Sequence, residues 1–520
     1  MELKIKKLLE YKKHLSGLEI LFTDNSSRSD FNVDVADVSY NSKEVKKGTL
    51  FIVKGGNFKT EYLLSAIEQG ACAFVCEKGK SGELISELKS LKASFAADDI
   101  LDAFPFIEVS DLRKAISEIS AFYYDSVWND NLKLIGLTGT KGKSTTAFMI
   151  RSILNEYVKH EIAFSSGIFT FDGETKEKSR KLTTPETVEL HRILFNAVKN
   201  KSEYLVMEVS SQGLKYDRVL NLNYTVGAFL NISEDHISAA EHRDMEDYFT
   251  SKLRIVEKSK IMVVNQEMNP DYLERIRLRC RETACPTYEF STKDYDVTEY
   301  PGYIVMKGKK DTEADGNEYK VNIGGKYNSQ NAMCAITVAK ALGIDEKCIK
   351  KGLENVVVPG RMETYRLSDN VEVIVDCAHN KMSYEALFGY AKEQYPGRSI
   401  GFLFGCVGDK AYNRRKEAAL IADVYSDFSV ITERDPGKEP VEKICDEIYS
   451  NMNEKNKAEI IVNRDEAVKK ILDKAMEINN SVVLLCGCGS DAYVKRAGGL
   501  VPFETDGERV QNYISKYLNE

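Results

Sequence analysis

Residues 134–146 read LIGLTGTKGKSTT. An apolar run of strand length passes directly into a loop with glycines at 136, 139 and 142, and the loop closes on Lys143-Ser144. Such a segment puts a helix N-terminus at the tip of a strand, where unpaired N–H groups and partial positive charge attract an anion. Glycines let the backbone approach that anion closely. In a phosphate loop of this kind Gly139, Thr140 and Gly142 belong to the cradle. Lys143 bridges the β- and γ-phosphates, and the Ser144 hydroxyl reaches Mg²⁺. Ile150, Ile153, Leu154, Tyr157 and Val158 recur at helical spacing, so a helix begins at the lysine. The commonest phosphate loop has glycine five residues before Gly142, where this chain has Leu137. The spacing here, G-x-x-G-x-x-G-K-S, points away from motor and switch NTPases.

The remainder reads as α/β with three domains: a central phosphate-loop domain with a parallel sheet and an antiparallel appendage, and a C-terminal Rossmann-like domain. At roughly 150 residues per domain, 520 residues suggest three. Residues 1–110 alternate short strands and helices, among them the strand 71–77 and the helix 61–70 ended by Gly70. A helix over 111–124 links this unit to the next. From about residue 130 apolar runs alternate with helical stretches, the mark of a mostly parallel sheet covered by helices. Residues 286–323 alternate polar and apolar around Asp315-Gly316, a hairpin signal, and form the appendage. Runs at 371–376, 399–405, 428–432 and 481–487 build the third unit, without a dinucleotide fingerprint. The expected divisions are 1–110, 111–358 and 359–520.

A net charge of −8 argues against nucleic acid as partner, because phosphate backbones demand dense Lys and Arg. No apolar stretch is long enough to span a membrane. The Lys-rich start lacks the apolar run of a signal peptide. The eleven cysteines are scattered, and Cys486-Gly-Cys488 reads as a reduced, buried pair, consistent with a reducing cytoplasm.

Three further residues belong with the loop. Glu208 ends the apolar run YLVMEVSS, and carboxylates at such strand tips hold Mg²⁺. His236 follows the next run, in NISEDHI. Lys252 lies on the flank of a stripe made by Phe249, Leu253 and Val256. Desolvation there lowers a lysine pKa and favours the neutral amine, which takes up CO₂ to become an anionic carbamate ligand.

The ordered series TGTKGKSTT, LTTPET, MEVSSQGL, FLNISEDH, EDYFTSK, GKYNSQNA, VPGRME and DCAHN resembles the Mur ligases, over nearly the whole chain. That resemblance implies an N-terminal UDP-binding domain, a central ATPase domain and a closing C-terminal domain. It implies a monomeric cytoplasmic enzyme in which ATP phosphorylates the terminal carboxylate of UDP-MurNAc-L-Ala-D-Glu and the amine of the third stem-peptide residue attacks the acyl phosphate.

By the same resemblance Ser144, Glu208 and His236 surround magnesium, with Thr145 an alternate hydroxyl, and Lys252 carries the carbamate. Thr183, Thr184, Ser210 and Arg218 grip the UDP-sugar peptide, and Ser42 lies beside the uridine diphosphate. Asn328, Arg361 and Asp376 contact ATP, with His379 nearby. Asp491 meets the incoming side-chain amine and Lys410 its α-carboxylate. The stretch Arg434-Asp435-Pro436-Gly437 stands where diaminopimelate-adding members carry D-N-P-R. Without that arginine the pocket does not favour a second carboxylate, so L-lysine is favoured over meso-diaminopimelate. Gln212 replaces a histidine common in related motifs, with no loss of activity expected. A folylpolyglutamate synthase would place the loop near the chain start. A catalytically silent scaffold would show a damaged phosphate or metal site, and a switch ATPase would have different glycine spacing.

Overall fold

The structure is a computed structural model and describes residues 3–518 apart from 28–30, 57, 92–100, 102, 180–181, 236 and 239–240. Its middle is an eight-stranded sheet in the order Lys176–Lys178, Phe169–Phe171, Ala163–Ser165, Tyr204–Glu208, Lys133–Thr138, Val226–Phe229, Met262–Asn265, Thr287–Phe290. The strands from Ala163–Ser165 onward are mutually parallel, Phe169–Phe171 runs antiparallel to both its neighbours, and Lys176–Lys178 returns to the common direction. Lys133–Thr138 is buried at every position after Lys133, as the near-continuous apolar run of a strand covered on both faces requires. The chain goes first to one side of this strand and then to the other. That opens a crevice outside its carboxyl end, where ligands bind in open α/β sheets.

The helix Lys143–Val158 starts at the loop and packs against the helices Asn328–Ala341 and Glu346–Glu354. The expected appendage is shorter than its sequence pattern. Thr287–Phe290 joins the central sheet in parallel, and only Tyr295–Tyr300, Tyr303–Gly308 and Glu318–Val321 form the antiparallel sheet. Its tight turn is Pro301-Gly302, with Gly302 at φ +80°, whereas Asp315-Gly316 lies in a longer loop.

Two other sheets flank this one. A five-stranded sheet is built from Leu21–Asp24, Phe106–Val109, Ala71–Glu77, Thr49–Ile52 and Asp37–Ser39. A six-stranded sheet runs Glu363–Arg366, Val371–Asp376, Ser481–Cys486, Ser399–Phe404, Phe428–Ile431, Ala458–Ile460, parallel except for the first strand. One apolar core runs unbroken from the face of the central sheet under Lys143–Val158 into the six-stranded sheet. Another joins the opposite face to the five-stranded sheet through the helix Leu112–Tyr123 and the fully buried Trp128. Within the third unit Arg464 and Asp506, both wholly buried, make a bidentate pair at 2.7 Å. Arg464 also donates to the carbonyls of Glu433 and Cys486, tying together the ends of two strands that face the crevice. Cys486 and Cys488 are buried free thiols.

Candidate active site

The loop Gly139–Ser144 is clamped by a residue just past Val226–Phe229. The side-chain oxygen of Asn231 accepts from the backbone N–H of Thr140 (3.0 Å) and of Lys141 (2.9 Å), and its amide donates to the Lys141 carbonyl (3.0 Å). The Thr140 hydroxyl accepts from the Ser233 N–H at 3.1 Å. Gly142 has φ +83°, and a Cβ there would overlap the Asn331 side-chain oxygen, so only glycine fits. The Lys143 ammonium donates back to the carbonyls of Gly139 (2.8 Å) and Thr140 (3.2 Å).

Lys252 is 1% exposed and donates to the Gly139 carbonyl at 2.9 Å, 4.7 Å from the centre of the Tyr248 ring. Burial, then the Lys143 ammonium, push its pKa well below the ordinary lysine value, against a smaller pull from Asp235. The Lys143 pKa is also lowered by burial, opposed by Glu208. Glu208 is buried, and its Oε1 accepts from the Gly167 N–H at 2.9 Å.

A cleft of about 680 Å³ opens over the loop. Lys143, Ser144, Thr145 and Glu208 line its floor, Asn328 and Asn331 one wall, and Arg361, Asp376, His379 and Asp491 the other. Asn328 donates to the Gly324 carbonyl (2.6 Å) and accepts from Asn331 (2.8 Å), which in turn accepts from the Thr146 hydroxyl (3.3 Å). Asp376 accepts from the N–H groups of Met362 (2.9 Å) and Ala378 (2.8 Å); burial raises its pKa, against Arg361. His379 donates from Nδ1 to the Cys377 carbonyl at 2.8 Å. Burial, and then Arg434, Arg414, Lys141 and Arg361, hold its pKa down to about 3. Cations gathered at a low-dielectric cleft concentrate a polyanion there.

The described residues contain no cluster of three His, Cys, Asp or Glu side chains that could hold a metal unaided. The Ser144 hydroxyl and the Glu208 carboxylate are hard oxygen donors on the cleft floor. So small a set fits Mg²⁺, which keeps several waters and takes phosphate oxygens as its other ligands.

A second cluster adjoins Glu208. The Thr184 hydroxyl donates to the Glu208 carbonyl (3.0 Å) and accepts from the Ser210 N–H (2.9 Å). Ser210 caps the short helix Ser211–Lys215, and Arg218 donates to the Thr184 carbonyl at 3.2 Å. Thr183 lies beside Gly167, against which Glu208 also packs.

Two family models match this sequence, the Mur ligase middle domain over residues 137–339 and the Mur ligase, glutamate ligase domain over 360–489. The UDP-N-acetylmuramoyl-L-alanyl-D-glutamate–L-lysine ligase of Enterococcus faecalis is 32% identical over 492 residues, covering 93% of this chain and 92% of that protein. The chain belongs to the Mur ligase family.

The Streptococcus thermophilus ligase of the same name is 34% identical over 511 residues, covering 96% of this Mur ligase and 98% of its relative. The fold is that of the MurF ligase from Thermotoga maritima in complex with ADP, with a TM-score of 0.57, 18% identity, and 93% and 98% of the two chains covered.

In this Mur ligase, one cleft gathers Gly142, Lys143, Ser144, Thr145, Glu208, Asn328, Arg361, Asp376 and Asp491. Lys252 sits directly beneath the loop, more deeply buried than a flank position implies, because the Tyr248 side of its helix also packs inward. His236 lies outside the described residues. Ser42 occupies a short 3₁₀ turn of the first unit, and its carbonyl accepts from Gln69. Lys410 is exposed beyond the cleft rim, and Asp435 accepts from the Lys495 N–H at 2.7 Å. Asn231 and Asn331 escaped the sequence reading. Both fall inside quoted motifs, FLNISEDH and GKYNSQNA, but nothing in an asparagine's identity announces that it will meet a loop about 90 or 190 residues away.

Proposed function

We propose that this Mur ligase joins L-lysine to UDP-MurNAc-L-Ala-D-Glu at the expense of ATP, as the third residue of the peptidoglycan stem peptide, in the cytoplasm. The observation that carries the reading is the shared cleft: a phosphate loop on one sheet faces Arg361, Asp376 and Asp491 from another. It is supported by the substrates that the Enterococcus and Streptococcus relatives' names print. We assign residues 1–110 to UDP binding, 111–358 to ATP and metal, and 359–520 to the nucleotide's far side and the amino acid.

A carboxylate is a poor electrophile, and its phosphorylation creates a leaving group that an amine can displace. Lys143 and the loop N–H groups would stabilise charge that develops on the transferred phosphoryl. Thr183, Thr184, Ser210 and Arg218 would hold the acceptor peptide with its carboxylate toward Glu208. Asn328, Arg361 and Asp376 would orient ATP, and closure of the third unit would keep water from the acyl phosphate. Ser144, Glu208 and His236 would hold Mg²⁺, which supplies Lewis-acid stabilisation of phosphoryl oxygens. Lys252, with its depressed pKa, would bear a carbamate, which would supply negative charge beneath the loop. Gly437 supports lysine over diaminopimelate, because it offers no cation to a distal carboxylate. Asp491 would meet the side-chain amine.

Purified enzyme given ATP, Mg²⁺ and UDP-MurNAc-L-Ala-D-Glu, with lysine, ornithine or diaminopimelate in separate reactions, tests the reading by phosphate release and product mass. Preference for lysine is expected. Phosphate release with no new amide would overturn it.

A further inference from the structure

Glu186 is shared by two cations from different sheets. Lys54, in the turn after Thr49–Ile52, pairs with its Oε2, while Arg218 Nη2 lies 2.7 Å from Oε1. Arg218 is fixed from behind by Thr184, and Lys54 stands 4.8 Å from the centre of the Tyr40 ring. The side chains of Lys54, Glu186 and Arg218 are 28%, 20% and 12% exposed, screened from bulk water yet reachable. Glu189 and Glu44 also act on Tyr40, so the surroundings are acidic and Lys54 and Arg218 are the cations that face Glu186. A line of contacts thus runs from Glu208 through Thr184, Arg218 and Glu186 to Lys54, from the catalytic floor to the UDP-binding unit.

Each oxygen of the Glu186 carboxylate engages a different cation, an arrangement that any two-oxygen anion can satisfy, phosphate or carboxylate alike. The acceptor substrate carries both and must extend between these same two units. We infer that Lys54 and Arg218 form an anion subsite for the nucleotide-sugar peptide, and that Glu186 keeps the two cations in register until the substrate's anion replaces it. The inference rests on the proposed function. Substrate would then cross-link the first two units, so that binding at Lys54 helps to bring the acceptor carboxylate to the floor of the cleft. Lys54 is a positioning residue in this scheme.

The test compares Lys54→Met, Lys54→Arg and Glu186→Gln in the full-length enzyme. Binding of UDP, UDP-MurNAc and UDP-MurNAc-L-Ala-D-Glu is measured by calorimetry, alongside kcat, KM and melting temperature. Lys54→Met is expected to weaken nucleotide-peptide binding about tenfold or more, the scale of one lost charge-assisted contact, with KM for ATP unchanged. Lys54→Arg restores binding. Glu186→Gln, which removes a competing charge, binds substrate as tightly as wild type or more tightly. A penalty that appears already with UDP assigns the diphosphate, and one that appears only with the dipeptide form assigns a carboxylate. Parallel loss in Lys54→Met and Glu186→Gln makes the trio a structural clamp and overturns the inference, as does unchanged binding in Lys54→Met. Wild-type enzyme that forms no tripeptide would instead sink the proposed function itself.

Discussion

Lys143 and Lys252 donate to the same atom, the carbonyl oxygen of Gly139, at 2.8 and 2.9 Å. Two ammonium groups on one carbonyl repel each other, and burial penalises both charges. Loss of the Lys252 proton relieves the conflict, and the amine so formed is the species that reacts with CO₂. Lys252→Ala should therefore lower kcat by about 10²-fold or more while ATP binding is largely kept, because the loss falls on transition-state charge. Formate or acetate should restore part of the rate. Full activity in this variant would remove Lys252 from the chemistry, and a ¹³C signal from labelled CO₂ on wild-type enzyme checks the carbamate directly.

Asn231→Ala removes three side-chain hydrogen bonds to the phosphate loop. At about 1 kcal/mol net for each, a loss of about 2–3 kcal/mol is expected, shared between stability and loop preorganisation. KM for ATP should rise about tenfold, with a smaller change in KM for lysine. Equal effects on both constants would contradict a role confined to the loop.

Removal of Asp506 leaves the buried Arg464 guanidinium with two backbone carbonyls and no counter-charge. Asp506→Ala should cost about 3–5 kcal/mol, the usual penalty for a buried charge stripped of its partner. Urea unfolding measures it. A loss below about 1 kcal/mol would show that the pair behaves as an exposed one.

Gly437 has φ +63°, and a Cβ there would overlap the Asp409 carboxylate, which accepts from the Lys438 N–H at 3.0 Å. Gly437→Arg alone should therefore impair folding or activity without conferring use of diaminopimelate. The double variant Asp409→Gly/Gly437→Arg should recover some activity and shift preference toward diaminopimelate. The ratio of kcat/KM for the two amino acids decides it.

His191 is wholly buried and donates to the Thr187 carbonyl at 2.7 Å, and burial pushes its pKa down to about 4. The unfolded chain, near 6.5, takes up a proton first as pH falls. Stability from this residue is therefore retained above pH 6.5 and lost progressively from about 6.5 down to 4. At pH 5 the loss should be about 2 kcal/mol relative to pH 7.5. Unfolding free energies of wild type and His191→Asn should converge on acidification by that amount; parallel curves would exclude His191 as a source of acid sensitivity.

The loop, its flanking strand and helix, and the strand-tip Glu208 were legible because each depends on local rules: a strand period, a helix start, glycine where φ is positive. The four main strands of the third unit were readable for the same reason. The edges were not. Phe169–Phe171 and Lys176–Lys178 are three residues each, too short for alternation to register. Thr287–Phe290 alternates like a hairpin strand yet joins the parallel sheet, because its partner Met262–Asn265 lies across a helix rather than a turn. Motif resemblance pointed to Asn328, Arg361, Asp376, His379 and Asp491 along the cleft, but the Asn231 clamp, the Asn331 contact with Gly142 and the Lys54–Glu186–Arg218 trio depend on long-range packing that no local pattern records.

The nucleotide cleft takes its floor from one sheet and a wall from another. An inhibitor of this enzyme therefore need not imitate ATP, sugar or amino acid. A wedge that props the floor and wall apart would separate the phosphate loop from Arg361 and Asp376, and escape by altering the loop would sacrifice the loop's own chemistry.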